Sequence, residues 1–130
     1  MIDVSFDGDV AIVTMDDGKV NAFSHAMLDA IEAVFDEAEA KAKALVLAGR
    51  PGLFCGGFDL AVMKDAPAEE RDALASRGGR FCHRLYGFGL PTIAASTGHA
   101  LALGGILVLA CDTRIGAKGA FKYGFTETAI

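Results

Sequence analysis

Two glycine-rich turns, Phe54-Cys55-Gly56-Gly57-Phe58-Asp59-Leu60 and Gly98-His99-Ala100-Leu101-Ala102-Leu103-Gly104-Gly105, lie about forty-five residues apart, and each follows an apolar, strand-like run. Such turns can leave backbone N–H groups free. Two of these donors converging on one oxygen make an oxyanion hole, which stabilises charge developing on a carbonyl during reaction. Cys55 with His99 offers a second chemistry, a thiol nucleophile beside a base. No third residue is placed to orient that pair, and a small buried thiol is the plainer reading. A carboxylate at Glu127 can move protons, although a glutamate near a helix end is ordinarily solvated. Cys55, Cys82, His83, His99 and Cys111 lack the close pair spacing of zinc sites, so no metal is expected. Neither turn reads GxGxxG or GxxxxGK, which speaks against a nucleotide cradle.

The elements that must hold these turns follow from periodicity. Val4 to Met15 alternates around Asp7-Gly8-Asp9 and predicts a β-hairpin. Ser24 is a good N-cap for a helix to about Lys41, with Met27, Leu28, Ile31, Val34, Phe35 and Ala38 on one stripe. Ala44 to Ala48, closed by Gly49, predicts a strand buried on both faces of a parallel sheet, and strand, helix, strand implies a right-handed crossover. Asp59 is placed to cap a helix after the first turn. Pro67 with Glu69 and Glu70 starts a longer helix toward Tyr86, with a break at Gly78-Gly79 and an end at Leu90-Pro91. Thr92 to Ser96 is the next strand, Gly104 to Ala110 an all-apolar helix of buried type, and Asp112 to Gly116 a further strand. This order gives an α/β fold.

A chain of 130 residues, 52% hydrophobic and 22% charged, suits one globular domain. Its net charge of −5 is spread over mixed segments, with no basic block to neutralise a run of phosphates, so nucleic acid is not an expected partner. Three cysteines without a CxxC pair read as reduced thiols, and Asp3 and Asp7 fall where a signal peptide is apolar; a cytoplasmic setting is expected. Leu85 to Cys111 holds no Asp, Glu, Lys or Arg, but Pro91, Ser96-Thr97-Gly98-His99 and five glycines break it into shorter elements, so no membrane span is expected.

These motifs together resemble the crotonase, or enoyl-CoA hydratase/isomerase, superfamily from end to end. Lys19-Val20-Asn21-Ala22-Phe23-Ser24 is similar to the family's first substrate-side loop, Leu45 through Leu60 to its strand and first oxyanion loop, and Gly98 to Asp112 to its second. Phe121 to Ile130 resembles the segment that carries a catalytic glutamate. The resemblance implies a ββα-repeat spiral core with mostly parallel strands and outer helices. Residues 1–130 would form one such domain, truncated on its C-terminal side relative to the family. It also implies an acyl-CoA thioester substrate, no cofactor beyond the coenzyme A of that substrate, and a homotrimer or hexamer.

By the same resemblance the N–H groups of Cys55 and Leu103 hold the thioester oxygen, with Gly104 as the neighbouring candidate. Val20, Ala22, Gly57, Phe58, Asp59, Leu60 and Leu101 contact substrate, and Lys19 and Lys64 either meet coenzyme A phosphates or are simply solvated. The helix starting near Gly104 adds a favourable field for an enolate. Family hydratases use two glutamates; Ile106 stands at the position of the first, and Glu127 fits the second with one extra residue in the loop. A single carboxylate above an oxyanion hole points to double-bond isomerisation. The alternatives are enoyl-CoA hydration or another reaction of the family, and a non-catalytic acyl-CoA-binding or assembly protein.

Overall fold

The computed structural model describes residues 1–125 and Glu127. The hairpin forms as its alternation predicts: β1 (Ile2–Asp7) pairs antiparallel with β2 (Val10–Met15), from Ile2 opposite Met15 to Asp7 opposite Val10. Only Gly8 and Asp9 are left for the turn, and Gly8 takes the φ of 56° that so tight a turn needs. In α1 (His25–Lys41), Ser24 Oγ accepts the Met27 N–H at 3.2 Å. Met27, Leu28, Ile31, Phe35 and Ala38 are buried, while Val34 is half-buried at the edge of the stripe.

After α1 each passage of the chain adds one strand to each of two sheets. β3 (Ala44–Ala48), β5 (Thr92–Ser96) and β7 (Thr113–Gly116) extend the hairpin into a five-stranded sheet ordered β1-β2-β3-β5-β7. β4 (Gly52–Cys55), β6 (Gly98–Leu101) and β8 (Tyr123–Gly124) form a three-stranded sheet. Between them come α2 (Leu60–Asp65), α3 (Ala68–Tyr86) and α4 (Leu103–Ala110). Among the described residues every strand pairing except β1–β2 is parallel. This is the α/β, ββα-repeat architecture that the sequence implies.

Several local expectations change. In β3 only Leu45 and Leu47 are fully buried, because they face the core shared with Ala11, Val13, Met15 and Ala94; the other face is half-buried. α3 runs unbroken through Gly78-Gly79 and ends on Gly87 rather than at Leu90-Pro91. Gly78 is there for the Phe58 ring: a β-carbon at 78 would lie 2.4 Å from its Cε1. α4 is not wholly buried, since Ile106 and Leu109 are 39% and 57% exposed. β4 and β6, which read as turns, are short strands. The charge-free stretch from Leu85 therefore divides into β5, β6 and α4, and no helix among the described residues is long and apolar enough to cross a membrane.

Two glycines make opposite predictions. Gly79 lies inside α3 with nothing within 4 Å of an added β-carbon, so Gly79→Ala raises stability by about 0.5–1 kcal/mol. At Gly98 the β-carbon would fall 1.9 Å from the Gly52 carbonyl carbon, and Gly98→Ala costs about 2 kcal/mol or more because backbone has to move. Urea unfolding midpoints of the two variants check both signs.

Candidate active site

The loops that follow β2, β4 and β6 enclose one open cavity of about 790 Å³. Val20, Ala22, Phe58, Asp59, Leu60 and Leu101 line it, which brings together six of the residues the sequence pointed to. Its wall is mostly apolar, with Lys19, His99 and Lys122 also on it.

The loop between β2 and α1 is set by two polar side chains. Asn21 is fully buried with φ of 50°, a left-handed conformation that asparagine tolerates better than most residues. Its Nδ2 donates to the Met15 carbonyl at 2.9 Å and to the Phe54 carbonyl at 3.1 Å, and its Oδ1 accepts the Asp17 N–H at 2.9 Å. The Asp17 carboxylate accepts in turn from the N–H groups of Lys19, Asn21 and Ala22 at 2.7, 2.9 and 3.2 Å. Burial alone would raise the Asp17 pKa, but these three donors and the Arg50 charge outweigh it and hold the carboxyl below its ordinary value. Arg50 also donates from Nε to the Lys19 carbonyl at 3.0 Å.

The first glycine turn is docked on this loop. Gly56 N–H donates to the Val20 carbonyl at 2.8 Å, Phe23 N–H to the Gly57 carbonyl at 2.8 Å, and Asp59 N–H to the Phe23 carbonyl at 3.1 Å. Those bonds flank Phe58 on both sides and leave its own N–H without an acceptor among the described residues. Cys55 ends β4, is fully buried and does not line the cavity; its thiol donates to the Asn21 carbonyl at 3.2 Å and accepts from Gly57 N–H at 3.4 Å. Burial pushes that thiol up to about 12, so it is not a nucleophile, and His99 is engaged elsewhere. Asp59 caps α2 through Oδ1 to Ala61 N–H at 2.9 Å, its structural role, and also borders the cavity.

The second turn meets the first backbone to backbone. A β-carbon at Gly104 would lie 2.3 Å from the Cys55 carbonyl oxygen, so only glycine lets the first turn of α4 sit there. Ala102, with φ 53° and ψ −121°, turns the chain from β6 into α4 without a side-chain cap. Its N–H donates to Gly124 at 2.8 Å, and its carbonyl accepts from Gly105 and Ile106 at 3.0 and 3.2 Å. The N–H groups of Leu103 and Gly104 have no acceptor among the described residues. The Leu103 nitrogen lies 3.7 Å from where a Gly57 β-carbon would be, which places it against the first turn.

Of the remaining candidates, Glu127 is exposed and is not on the cavity wall. Gly57 sits behind the wall with φ of 111°. Lys64 is exposed at the end of α2, away from the cavity. Ile106 faces a shallower groove with Cys82, Tyr86 and Leu109. Sequence reasoning missed the free Phe58 N–H and the Asn21–Asp17 pair. The signals were present: a second glycine just before Phe58, and an asparagine followed by a helix cap.

Strands dealt alternately to two sheets, with two interlocked glycine turns opening on one cavity, define a crotonase fold. A family model described as enoyl-CoA hydratase/isomerase matches residues 5–130. The chain belongs to the enoyl-CoA hydratase/isomerase family. It is 37% identical over 129 residues to a provisional enoyl-CoA hydratase of Thermus thermophilus, covering 95% of this chain and 51% of that one. The structure of an enoyl-CoA hydratase/isomerase family protein from Pseudomonas syringae superposes with a TM-score of 0.95 at 37% identity, over 98% of this chain and 55% of that one. A Mycobacterium tuberculosis protein, 33% identical, matches with TM-scores of 0.89 and 0.91 over 98% of this chain and 55% and 54% of the two structures; it is described once as an enoyl-CoA isomerase and once as a probable enoyl-CoA hydratase. The chain spans about half the length of the curated relatives it matches.

Asn21→Ala leaves the Met15 and Phe54 carbonyls and the Asp17 N–H without partners and lowers stability by about 3 kcal/mol, read from the urea midpoint. Asp17 adds a pH signature. Its folded pKa is lowered, so its stabilisation is complete above the ordinary carboxylate value of about 4 and is lost as pH falls through the folded value. The midpoint difference between wild type and Asp17→Asn is therefore largest at about pH 6 and shrinks toward about pH 3.

Proposed function

We propose that the cavity takes the thioester end of an acyl-CoA, and that the N–H groups of Phe58 and Leu103 hold its carbonyl oxygen while an enolate forms. One observation carries this reading: both N–H groups lack acceptors among the described residues, and both belong to the pair of turns that close against each other beside an apolar cavity. Phe58 replaces Cys55 as the first donor. The start of α4 contributes its partial positive charge to the same place. Coenzyme A enters as part of the substrate, and a homotrimer or hexamer remains part of the proposal by family resemblance.

Although it does not line the cavity, Glu127 is proposed as the base on the strength of the family resemblance. On a 3-enoyl-CoA it removes a proton from the carbon next to the thioester; the electron pair spreads through the carbonyl and the double bond, and the same proton returns to carbon four. The product is the conjugated 2-enoyl isomer. Activating water for addition across a double bond uses a second carboxylate in the family, and Ile106 supplies none. Hydration is the second reading, favoured by the hydratase descriptions among the relatives.

Conversion of a 3-enoyl-CoA to its 2-enoyl isomer, with 2-enoyl-CoA hydration run beside it, separates the readings. Wild type isomerises faster than it hydrates, and Glu127→Gln lowers isomerisation by a factor of about 100 or more. Hydration at an equal or greater rate overturns the isomerase assignment. Binding of acyl-CoA without either reaction overturns the role of Glu127 and leaves a non-catalytic acyl-CoA-binding protein.

A further inference from the structure

Phe58 lines the cavity, yet the outer edge of its ring is seated on a different element. The direction of its N–H is set on one side by the peptide it belongs to. The Gly57 carbonyl accepts Phe23 N–H at 2.8 Å, and in a trans peptide the next N–H points the opposite way. That bond leaves the peptide plane free to tilt about it, and the ring supplies the second constraint. Its edge enters a notch in α3 at Gly78, where a β-carbon would stand 2.4 Å from Cε1 and 2.5 Å from Cζ. Gly78 is buried in the middle of a helix, where glycine is destabilising, and the ring occupies the space that the missing side chain leaves.

α3 is itself held at a set height above Phe58. Arg77, immediately before Gly78, donates from Nη2 to Asp29 Oδ1 at 2.5 Å and Glu32 Oε2 at 2.7 Å, and from Nη1 to the His25 carbonyl at 3.3 Å. All three acceptors lie on α1. About one turn further along α3, the Phe81 ring centroid lies 5.7 Å from that of Phe23 and 5.1 Å from that of Phe35. α3 therefore touches both members of the Phe23–Phe58 bridge, and α1 fixes α3. With a methyl group at 78 the ring edge has to withdraw by about 1 Å to reach an ordinary contact of 3.4 Å. A donor stabilises a developing oxyanion only over a narrow range of distance, and a misplacement of about 1 Å can lower a rate about 100-fold.

We propose that Gly78 is a positioning residue for the Phe58 N–H: the ring seated in its notch, at a height that Arg77 fixes, aims the donor at the thioester oxygen. Gly78 touches neither substrate nor reacting atoms and acts through Phe58. This rests on the acyl-CoA reading and extends it from the loops of the site to α3, none of whose residues lines the cavity.

Steady-state turnover of 3-enoyl-CoA or 2-enoyl-CoA, whichever wild type uses, tests this in Gly78→Ala, Gly79→Ala and the double variant Gly78→Ala with Phe58→Ala. Gly78→Ala is expected to lower kcat about tenfold or more while KM changes less than about threefold. Gly79→Ala, which adds its methyl group to open space one residue on, keeps the wild-type kcat. Phe58→Ala removes the ring and keeps the N–H, so adding it to Gly78→Ala raises kcat about threefold or more. Wild-type kcat in Gly78→Ala overturns the proposal. So does a raised KM at wild-type kcat, which means that the ring swings into the cavity, and so does a loss that the double variant does not relieve, which is a loss of fold. If Gly78→Ala does not fold, Arg77→Ala takes its place: kcat about threefold lower at unchanged KM upholds the proposal, and wild-type kcat overturns it. If wild type turns over no acyl-CoA, the catalytic reading fails separately, and the residual dipolar coupling of the Phe58 N–H, which reports the direction of that bond, decides. A coupling changed in Gly78→Ala or Arg77→Ala but not in Gly79→Ala upholds the positioning by Gly78, and one unchanged in all three overturns it.

Discussion

The whole site depends on a close backbone approach that side chains would forbid. Gly104 brings the first turn of α4 onto the Cys55 carbonyl, and Gly98 brings β6 onto Gly52, at separations where a β-carbon would stand 2.3 and 1.9 Å from backbone atoms. Because the sheet and the helix meet there without side chains, the two turns that follow β4 and β6 close against each other. Ala102 sustains this closure in a backbone conformation that alanine rarely takes, at a cost on the order of 1–3 kcal/mol. Its carbonyl is bonded into α4 and its N–H to Gly124, so the strain is held from both sides. Since the C=O and N–H of a trans peptide point oppositely, tying the Ala102 carbonyl into the helix directs the Leu103 N–H away from it.

The third wall is polar and rigid for a different reason. Asn21 and Asp17 satisfy each other and the backbone around them, linking the end of β2 to the Phe54 carbonyl of β4. A buried network with every member satisfied specifies one arrangement, because any shift strands a donor or acceptor in a poor dielectric. The loop from Asp17 to Ala22 therefore acts as a fixed platform on which Gly56 docks. Arg50 ties the same loop at the Lys19 carbonyl from the far end of β3. Three segments distant in sequence are thereby held in one geometry by hydrogen bonds, and the three cysteines are free thiols.

Most of the architecture was legible where periodicity is local. The hairpin, the Ser24-capped α1, the cap at Asp59, and strands β3 and β5 lie where alternation, capping and uninterrupted apolar runs place them. β4 and β6 were not, because four-residue strands that begin with glycine carry no pattern of their own and are made by pairing with each other. The Gly78-Gly79 pair misled for the opposite reason: a local helix breaker is overridden when a partner ring, Phe58, requires the empty position. Six of the residues that the sequence pointed to line the cavity, but which N–H of the first turn lacks an acceptor depends on bonds from Phe23, thirty-odd residues earlier, and no local signal reports that.

On the reading proposed for this site, the apolar character of α4 has an electrostatic consequence as well as a chemical one. The free N–H groups at its start favour any negative charge nearby. A carboxylate on the first turn would be stabilised by that field and would offset part of it, leaving less for the enolate oxygen. With Ile106 in that turn, and with Leu103, Gly104 and Gly105 before it, no side-chain charge competes. Leu103, Leu107 and Val108 are buried, so water has little access to screen the field from within the helix packing. On the proposed reading, a first turn of α4 without a carboxylate leaves one base and a stronger field for the anion which that base creates, and this is the exchange that isomerisation through a dienolate would use.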